Sequence, residues 1–245
     1  MSVFIQGNAL KLPLRDKSID CYVGSPPYFG MREYGDHEQE IGRGSLDQYL
    51  TDVEGFLREA FRVLTDGGSC WLVMADTRAG SGGAGGDWTK GKRAGKTWRQ
   101  GETGITAGNL CLIPQMTVAL AQRLVGFTAR SWIVWDKGRC RPEAARHARR
   151  PLTQTEIVLF LTKGRARTWN GGQRTSDVWS IPPYSGGSPH LAPFPVELAS
   201  RCIFLSTISK DLVLDPFMGS GSTMVAAQQL GRRCVGLDLY PWAEA

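Results

Sequence analysis

Four residues near the amino terminus, Ser25-Pro26-Pro27-Tyr28, have the chemistry to hold and orient an amine. They directly follow a short apolar run, and two consecutive prolines remove two N–H donors and leave rigid carbonyl acceptors at the end of a strand. The Ser25 hydroxyl and the Pro26 carbonyl can each accept one proton of an exocyclic amine, which leaves the nitrogen lone pair for an electrophilic methyl group while Tyr28 stacks on the base. The alternative is a plain turn that ends a strand. We interpret a second Pro-Pro-Tyr, residues 182–184, in that way because no strand is predicted before it.

A second constellation lies near the carboxyl terminus, where an apolar run is followed by Asp215 and a glycine-rich turn at residues 219–222. Glycine lets a backbone approach a ligand closely, and N–H groups at a helix start favour an anionic group. Asp238 stands 23 positions after Asp215, at the end of the next apolar run, where nucleotide-binding proteins hold ribose hydroxyls. The chain has neither GxGxxG nor a Walker lysine, so a cationic cofactor that bears an amino acid fits better than a dinucleotide or ATP. A glycine turn that merely joins a strand to a helix is the alternative interpretation.

Short β-rich runs alternate with helical patterns along the chain, which is typical of an α/β fold. We therefore predict one domain, residues 1–245, built on a doubly wound, mainly parallel, seven-stranded sheet. The predicted strands are residues 3–6, 19–24, 69–75, 132–136, 157–163, 212–215 and 234–238.

Helices are predicted between these runs. After Ser45, which forms a capping box with Gln48, apolar residues recur at helical spacing, and Gly67 with Gly68 is expected to end this helix. Three further helices are predicted: from Ile113 to just before Gly126, over residues 195–206, and from the glycine-rich turn to Gly231.

The composition is ordinary for a globular protein, with 42% hydrophobic and 21% charged residues. No apolar run reaches the roughly 18 residues that span a bilayer, and no signal peptide is recognisable, so we expect a cytoplasmic protein without a membrane partner. Six cysteines are scattered without a CxxC pair, which favours neither a metal site nor a disulfide framework. The net charge of +6 suits a polyanionic partner but does not establish one.

Two basic stretches interrupt the alternation of β-rich and helical segments. One lies in a predicted loop insertion, residues 77–110, and the other opens a candidate recognition region, residues 137–189. Such charge runs are usually solvated surface, but beside a base-handling pocket they can contact phosphates. The candidate DNA-binding residues are Lys90, Lys92, Arg93, Lys96, Arg99, Lys137, Arg139, Arg141, Arg149 and Arg150.

Taken together, the motifs resemble those of the DNA amino-methyltransferases. Ser-Pro-Pro-Tyr near the amino terminus and Asp-Pro-Phe-Met-Gly-Ser-Gly-Ser from Asp215 onward stand in the order of the permuted beta group of that family. Further matching segments are Gly7-Asn8-Ala9, residues 132–137, residues 149–151 and residues 190–195, so the resemblance covers nearly the whole chain.

The resemblance implies a Rossmann-like methyltransferase fold, S-adenosylmethionine as cofactor and no metal. It also assigns roles by matching position. Catalysis would rest on Ser25, Pro26, Pro27 and Tyr28. The methionine end of the cofactor would be lined by Asp215, Phe217, Gly219 and Gly221, and Ser220 and Ser222 would also bind the cofactor. Asp238 would take the ribose, Asn8 with Ala9 the adenine, and Phe194 would pack on the cofactor or, equally, serve only helix-entry packing. In the family, Ser-Pro-Pro-Tyr accompanies cytosine N4 methylation more often than adenine N6 methylation.

The reaction so implied is direct displacement on a flipped base in double-stranded DNA. No covalent intermediate is expected, because the Pro-Cys nucleophile of carbon-5 methylation is absent. A cognate restriction endonuclease is a candidate partner, and the protein is expected to be a monomer or a homodimer. A methyltransferase for RNA or protein amides and a catalytically inactive nucleic-acid-binding protein are the alternatives. Every version of the enzymatic hypothesis requires residues 25 and 219 to meet in the fold.

Overall fold

The computed structural model describes residues 2–30, 38–42, 44–79, 103–138, 149–184 and 194–241. The strands are β1 (Ser2–Gln6), β2 (Ile19–Gly24), β3 (Leu64–Met74), β4 (Thr128–Asp136), β5 (Thr155–Thr162), β6 (Val178–Ser180), β7 (Leu212–Asp215) and β8 (Arg233–Asp238). The helices are α1 (Leu46–Val63), α2 (Ile113–Leu120), which continues through a π-helical turn (Ala121–Val125), α3 (Val196–Ser206) and α4 (Ser222–Gln229).

The eight strands of the described residues form one sheet in the order β1-β8-β7-β2-β3-β5-β4-β6. Only β5 runs antiparallel to its neighbours β3 and β4. Successive side chains of the central strands point to opposite faces of the sheet and enter two separate apolar clusters. For example, Tyr22 lies in the cluster that includes α1, and Val23 lies in the cluster that includes α3. Helices therefore cover both faces of the sheet, and the predicted doubly wound, mainly parallel α/β fold is confirmed.

The sheet has one strand more than the seven predicted. The additional strand is β6, three residues long, which pairs with β4 at the edge of the sheet. Alternation of apolar and polar residues is not a usable signal over three positions. The second Pro-Pro-Tyr at residues 182–184 comes two residues after β6, so the interpretation that no strand precedes it was wrong.

Helix α1 begins as predicted but ends earlier. The Ser45 side chain accepts a hydrogen bond from the backbone N–H of Gln48 at 3.2 Å, while the Gln48 side chain donates to Asp52. The helix passes directly into β3 at Leu64, so the prediction that Gly67 and its neighbour end the helix was wrong.

The glycine pair instead lies in an irregular start of β3. Gly67 has φ +79°, and a Cβ there would lie 2.8 Å from the carbonyl oxygen of Arg165. Pairing between β2 and β3 shifts register across this segment, from Ile19 opposite Leu64 to Cys21 opposite Ser69. Glycine is needed here for a bulge in a strand rather than for a helix end.

The other helices agree with the prediction. Helix α2 begins at Ile113 with Pro114 in its first turn, and the π-helical turn after it stops before Gly126, which has φ +102°. Helix α3 follows Pro195, and α4 stops two residues before Gly231. None of the helices in the described part of the chain combines the length and apolar character that a membrane crossing needs.

The parallel strands bring several chain segments to one edge of the sheet. Strands β1, β8, β7, β2 and β3 lie side by side and parallel, so the residues that follow their carboxyl ends share that edge. In open α/β sheets this is the edge at which ligands bind.

Candidate active site

The two sequence motifs meet at the carboxyl ends of β2 and β7. These strands pair directly, with Cys21 opposite Val213. At the end of β2, a Cβ on Gly24 would lie 3.2 Å from the ring of Phe217 and 3.5 Å from the carboxylate of Asp215. The segments around residues 25 and 219 are therefore neighbours in the fold, as the enzymatic hypothesis requires.

Local hydrogen bonds shape the glycine-rich turn after β7. Asp215 Oδ1 accepts from the backbone N–H of Phe217 at 3.0 Å, and Asp238 Oδ2 accepts from the N–H of Gly219 at 2.9 Å. Gly219 and Gly221 have φ of +47° and +83°, values that side-chain-bearing residues rarely adopt. The turn opens α4, and Ser220 and Ser222 place their hydroxyls 3.4 Å apart at that helix start.

Strand β8 supports the turn from one side. The backbone N–H of Met218 donates to the carbonyl of Leu237 at 3.0 Å. A Cβ on Gly236 would lie 1.7 Å from Met218 Sδ, so only glycine leaves room for that side chain. The turn is thus held both by its own hydrogen bonds and by contacts with the neighbouring strand β8.

Asp215 is the most perturbed acidic group at this edge. It is 1% exposed, and burial raises the pKa of its carboxyl to about 7, with a further contribution from the negative charge of Asp238. Within the described part of the chain, neither Asp215 Oδ2 nor the buried Thr223 Oγ1 meets the geometry of a hydrogen bond, although the nearby Thr223 hydroxyl lowers the pKa of the Asp215 carboxyl. A buried carboxylate oxygen without a hydrogen-bond partner can be stabilised by a cationic ligand group. The site therefore fits the ammonium and sulfonium charges of S-adenosylmethionine.

Asn8 and Ala9 follow β1 at the same edge. Gln6 pairs with Asp238 in the sheet, and the N–H of Gly7 donates to the Asp238 carbonyl at 2.8 Å. Asn8 Oδ1 accepts from Leu10 N at 2.8 Å and Nδ2 donates to Gln39 at 3.1 Å, while Ala9 is buried in an apolar cluster. The Asn8 amide therefore closes the local turn next to Asp238.

Side chains from distant elements hold the loop after β2. The Tyr49 hydroxyl of α1 donates to the Pro27 carbonyl at 3.0 Å. The Thr77 hydroxyl, which follows β3, donates to the Phe29 carbonyl at 2.8 Å. Both partners were missed at the sequence level, since nothing in their local sequence marks them as contacts of this loop.

A series of polar contacts leads from Ser25 through Tyr28 to Glu156 on β5. Ser25 Oγ lies 3.4 Å from Tyr28 Oη, and the Tyr28 hydroxyl donates to Glu156 Oε2 at 2.8 Å. Lys137 Nζ lies 2.8 Å from Glu156 Oε1. Glu156 was also missed, because its only distinguishing feature is a carboxylate near the start of the apolar strand β5.

Asp76 is a further missed residue at this edge. It follows β3, and its two carboxylate oxygens accept from the backbone N–H groups of Leu112 and Ile113 at 3.1 and 3.2 Å. These are the donors left open at the start of α2. Asp76 thereby joins the end of β3 to the far end of the predicted insertion, residues 77–110, whose two ends also pair as Arg78 with Leu110.

The remaining predicted site residues fall in different places. Phe194 is half-buried against the apolar cluster beneath α3, a position compatible with either of its two predicted roles. Arg149 and Arg150 are exposed, whereas Lys137 is only 22% exposed in its ion pair with Glu156. The candidate DNA-binding residues Lys90, Lys92, Arg93, Lys96, Arg99, Arg139 and Arg141 lie outside the described residues.

One arginine of the predicted recognition region lies at the opposite edge of the sheet. Arg167 forms ion pairs with Asp20 at 2.8 Å and with Asp211 at 2.6 Å, at the amino ends of β2 and β7. No group of histidine, cysteine, aspartate or glutamate side chains within the described ranges could hold a metal ion.

The comparison with protein families identifies the chain. A family model described as DNA methylase, covering methylases of the N6 and N4 class, matches residues 19–243. The chain belongs to this DNA methylase family. It is therefore an S-adenosylmethionine-dependent DNA amino-methyltransferase, and DNA is its substrate.

Characterised relatives agree with the family. The methylase is 35% identical to the Type II methyltransferase M.Cfr9I of Citrobacter freundii over 98% of this chain and 84% of that protein. It is 32% identical to the Type II methyltransferase M.SmaI of Serratia marcescens over 92% of this chain and 82% of that protein.

Solved structures show the same fold. The PvuII DNA methyltransferase, named cytosine-N4-specific, has a TM-score of 0.72 at 17% identity and covers 97% of this chain and 82% of its own. M1.HpyAVI in complex with S-adenosylmethionine has a TM-score of 0.65 at 18% identity and covers 98% of this chain and 94% of its own. The predicted fold class is the one these enzymes share.

Proposed function

We propose that this methylase transfers a methyl group to N4 of cytosine within a specific site in duplex DNA. The observation that carries the proposal is that the Ser25 loop and the Asp215 turn follow the adjacent ends of the paired strands β2 and β7, where a Cβ on Gly24 would lie 3.2 Å from the ring of Phe217. The choice of base is supported by the Ser-Pro-Pro-Tyr form of the loop. Adenine N6 is the second candidate, because the family includes both classes.

The Ser25 loop provides the acceptors that an exocyclic amine needs. Ser25 Oγ and the carbonyl of Pro26 each accept one amine proton, which orients the nitrogen lone pair toward the neighbouring turn. The Tyr28 ring supplies a face on which the flipped base stacks. Pro27 adds no donor, so this part of the loop presents acceptors to the amine.

The Asp215 turn holds the cofactor beside that amine. S-adenosylmethionine supplies the methyl group as an electrophile. Asp215 offers its unpartnered oxygen to the cationic end, and the backbone of Gly219 and Gly221 allows close approach. Asp238, at the end of β8, is assigned to the ribose hydroxyls, Asn8 with Ala9 to the adenine, and Phe194 to packing against the cofactor.

DNA contacts outside the pocket are assigned to the basic segments. Exposed Arg149 and Arg150, together with the basic residues of the insertion, are assigned to the phosphate backbone, and the region 137–189, apart from the segment around Arg167 at the opposite edge, is assigned to sequence recognition. Relatives named Type II methyltransferases support a cognate restriction endonuclease as partner in a bacterial cytoplasm. A monomer or a homodimer is compatible with transfer to one base at a time.

Nucleoside mass spectrometry tests the proposal. Purified protein is incubated with unmethylated DNA and S-adenosylmethionine, and the digested DNA is searched for N4-methylcytosine and N6-methyladenine. N4-methylcytosine alone supports the proposal, and N6-methyladenine alone refutes the choice of base. If neither product forms although the protein binds labelled cofactor and DNA, the alternative of an inactive binding protein is favoured.

A further inference from the structure

The hydrogen bonds that link Ser25, Tyr28 and Glu156 run in one donor-to-acceptor direction, and Glu156 sets that direction. Glu156, facing the ammonium group of Lys137 at 2.8 Å, is a carboxylate and can only accept hydrogen bonds. Tyr28 has a single hydroxyl proton, and at 2.8 Å it donates that proton to Glu156. The Tyr28 oxygen can then act only as an acceptor toward any other neighbour.

Ser25 is such a neighbour, and its hydroxyl lies 3.4 Å from the Tyr28 oxygen. Ser25 also has one hydroxyl proton, and this arrangement directs it to Tyr28. Ser25 Oγ is left with its lone pairs, so toward any other group it can only accept a hydrogen bond. An acceptor-only residue, Glu156, thereby sets the hydrogen-bond direction at a residue 131 positions away in the chain.

We propose that Glu156 is a positioning residue for methyl transfer, which acts through Tyr28 to make Ser25 an acceptor toward the target amine. The proposal rests on the proposed role of Ser25 in holding an amine and applies to either base. The direction of the chain matters because a serine that donated its proton to the amine nitrogen would occupy the lone pair that must attack the methyl group. An accepting serine leaves that lone pair available.

Glu156→Gln is the sharpest probe because it changes the direction of the chain with little change of shape. Lys137 is a donor, so it holds the carbonyl oxygen of the new amide on its side and leaves the amide NH₂ facing Tyr28. Tyr28 must then accept, its own proton turns to Ser25, and the Ser25 proton turns to the amine. We expect kcat to fall by about tenfold to a hundredfold, with KM for DNA and the Kd for S-adenosylmethionine changed by less than about threefold.

Two matched variants distinguish an effect of hydrogen-bond direction on kcat from effects of charge and packing. Glu156→Asp keeps an acceptor-only group, so its kcat should exceed that of Glu156→Gln despite the shorter side chain. Glu54→Gln removes a carboxylate from another ion pair, with Arg58 at 2.6 Å on α1, and should retain wild-type kcat. A purely structural role for Glu156 predicts the opposite ranking of the two Glu156 variants, because the isosteric glutamine preserves packing better.

A double-mutant cycle tests whether Glu156 acts through Tyr28. Tyr28→Phe keeps the ring but removes the middle of the chain, so it should lower kcat on its own, and Glu156→Gln should cause no further loss in that background. The inference is overturned if Glu156→Gln matches Glu54→Gln in kcat, or if its effect in the Tyr28→Phe background is undiminished. If Glu156→Gln does not fold, a Tyr28→Phe enzyme with wild-type kcat overturns the inference by itself.

Failure of the inference and failure of the proposed function give different results. Wild-type protein that methylates neither base contradicts the proposed function before any variant is compared. Wild-type activity on either base combined with a silent Glu156→Gln variant contradicts the inference alone.

Discussion

The two halves of the active site are built in different ways. In the Asp215 turn, the defining hydrogen bonds join residues 2 and 19 positions apart, and two glycines provide the backbone conformation. In the Ser25 loop, the partners lie 22, 48 and 128 positions away, on α1, after β3 and on β5. The cofactor side is therefore shaped by its own glycine backbone and by the adjacent strand β8, whereas the amine side depends on side chains from more distant parts of the fold.

Ser25→Ala should have the largest effect and should separate the two halves most clearly. Loss of one acceptor for the amine should lower kcat by about 10²- to 10³-fold, comparable with removal of a donor from an oxyanion hole. Cofactor affinity should be unchanged because the Asp215 turn has its own hydrogen bonds. Single-turnover transfer rates and calorimetric binding of S-adenosylmethionine measure the two effects, with Ser209→Ala on an exposed turn as the control.

A Ser25→Ala protein that lost cofactor affinity as strongly as activity would show that the two halves are not separately built. Full activity in the same variant would remove Ser25 from the proposed mechanism.

Asp215→Asn should affect the other half. The loss of a buried charge partner for a cationic ligand should weaken S-adenosylmethionine binding by about 10- to 100-fold, the equivalent of one charged hydrogen bond. The ligand-free protein should become more stable at pH 8, because the buried carboxylate has no hydrogen-bond partner at Oδ2 among the described residues. Binding calorimetry and thermal unfolding give the two results, and they should change in opposite directions.

The pKa of Asp215 makes both quantities depend on pH. The folded pKa of about 7 lies above the ordinary value for aspartate, so the folded state binds the proton more tightly than the unfolded state. The free energy of unfolding should therefore be highest below about pH 4 with respect to this group and should fall as the pH rises toward about 7. Cofactor affinity should rise over the same range, approaching about tenfold per pH unit below the folded pKa, because the cation binds the ionised form.

Titrations of cofactor affinity between about pH 5.5 and pH 8 test this linkage, with Asp215→Asn as the matched control. An equally steep profile in Asp215→Asn would assign the pH dependence to another group.

Tyr49→Phe should have the smallest effect. It removes the hydrogen bond to the Pro27 carbonyl and should cost about 1 kcal/mol of unfolding free energy. The loop after β2 loses one of its three distant supports, so kcat should decrease by about two- to fivefold while cofactor affinity stays constant. Denaturant unfolding and steady-state kinetics provide the measurements. A larger effect on cofactor binding than on kcat would reverse the proposed division between the two halves.

Much of the fold could be predicted because its signals are local. The alternation of apolar runs and helical patterns identified seven of the eight strands, and capping residues such as Ser45 marked helix starts. The failures occurred where no local signal exists. Strand β6 is too short to show alternation, and the glycines after α1 serve a bulge in β3 that becomes visible only in the pairing with β2.

By itself, the sequence determined the two motifs and the strands that carry them, because glycine conformation, proline rigidity and apolar periodicity act over a few neighbouring residues. Only the tertiary structure decided that β2 and β7 lie side by side and that Glu156, Tyr49 and Thr77 support the Ser25 loop. Strand order and long-range side-chain contacts depend on packing of the whole chain, and residues that meet this way need share no local pattern.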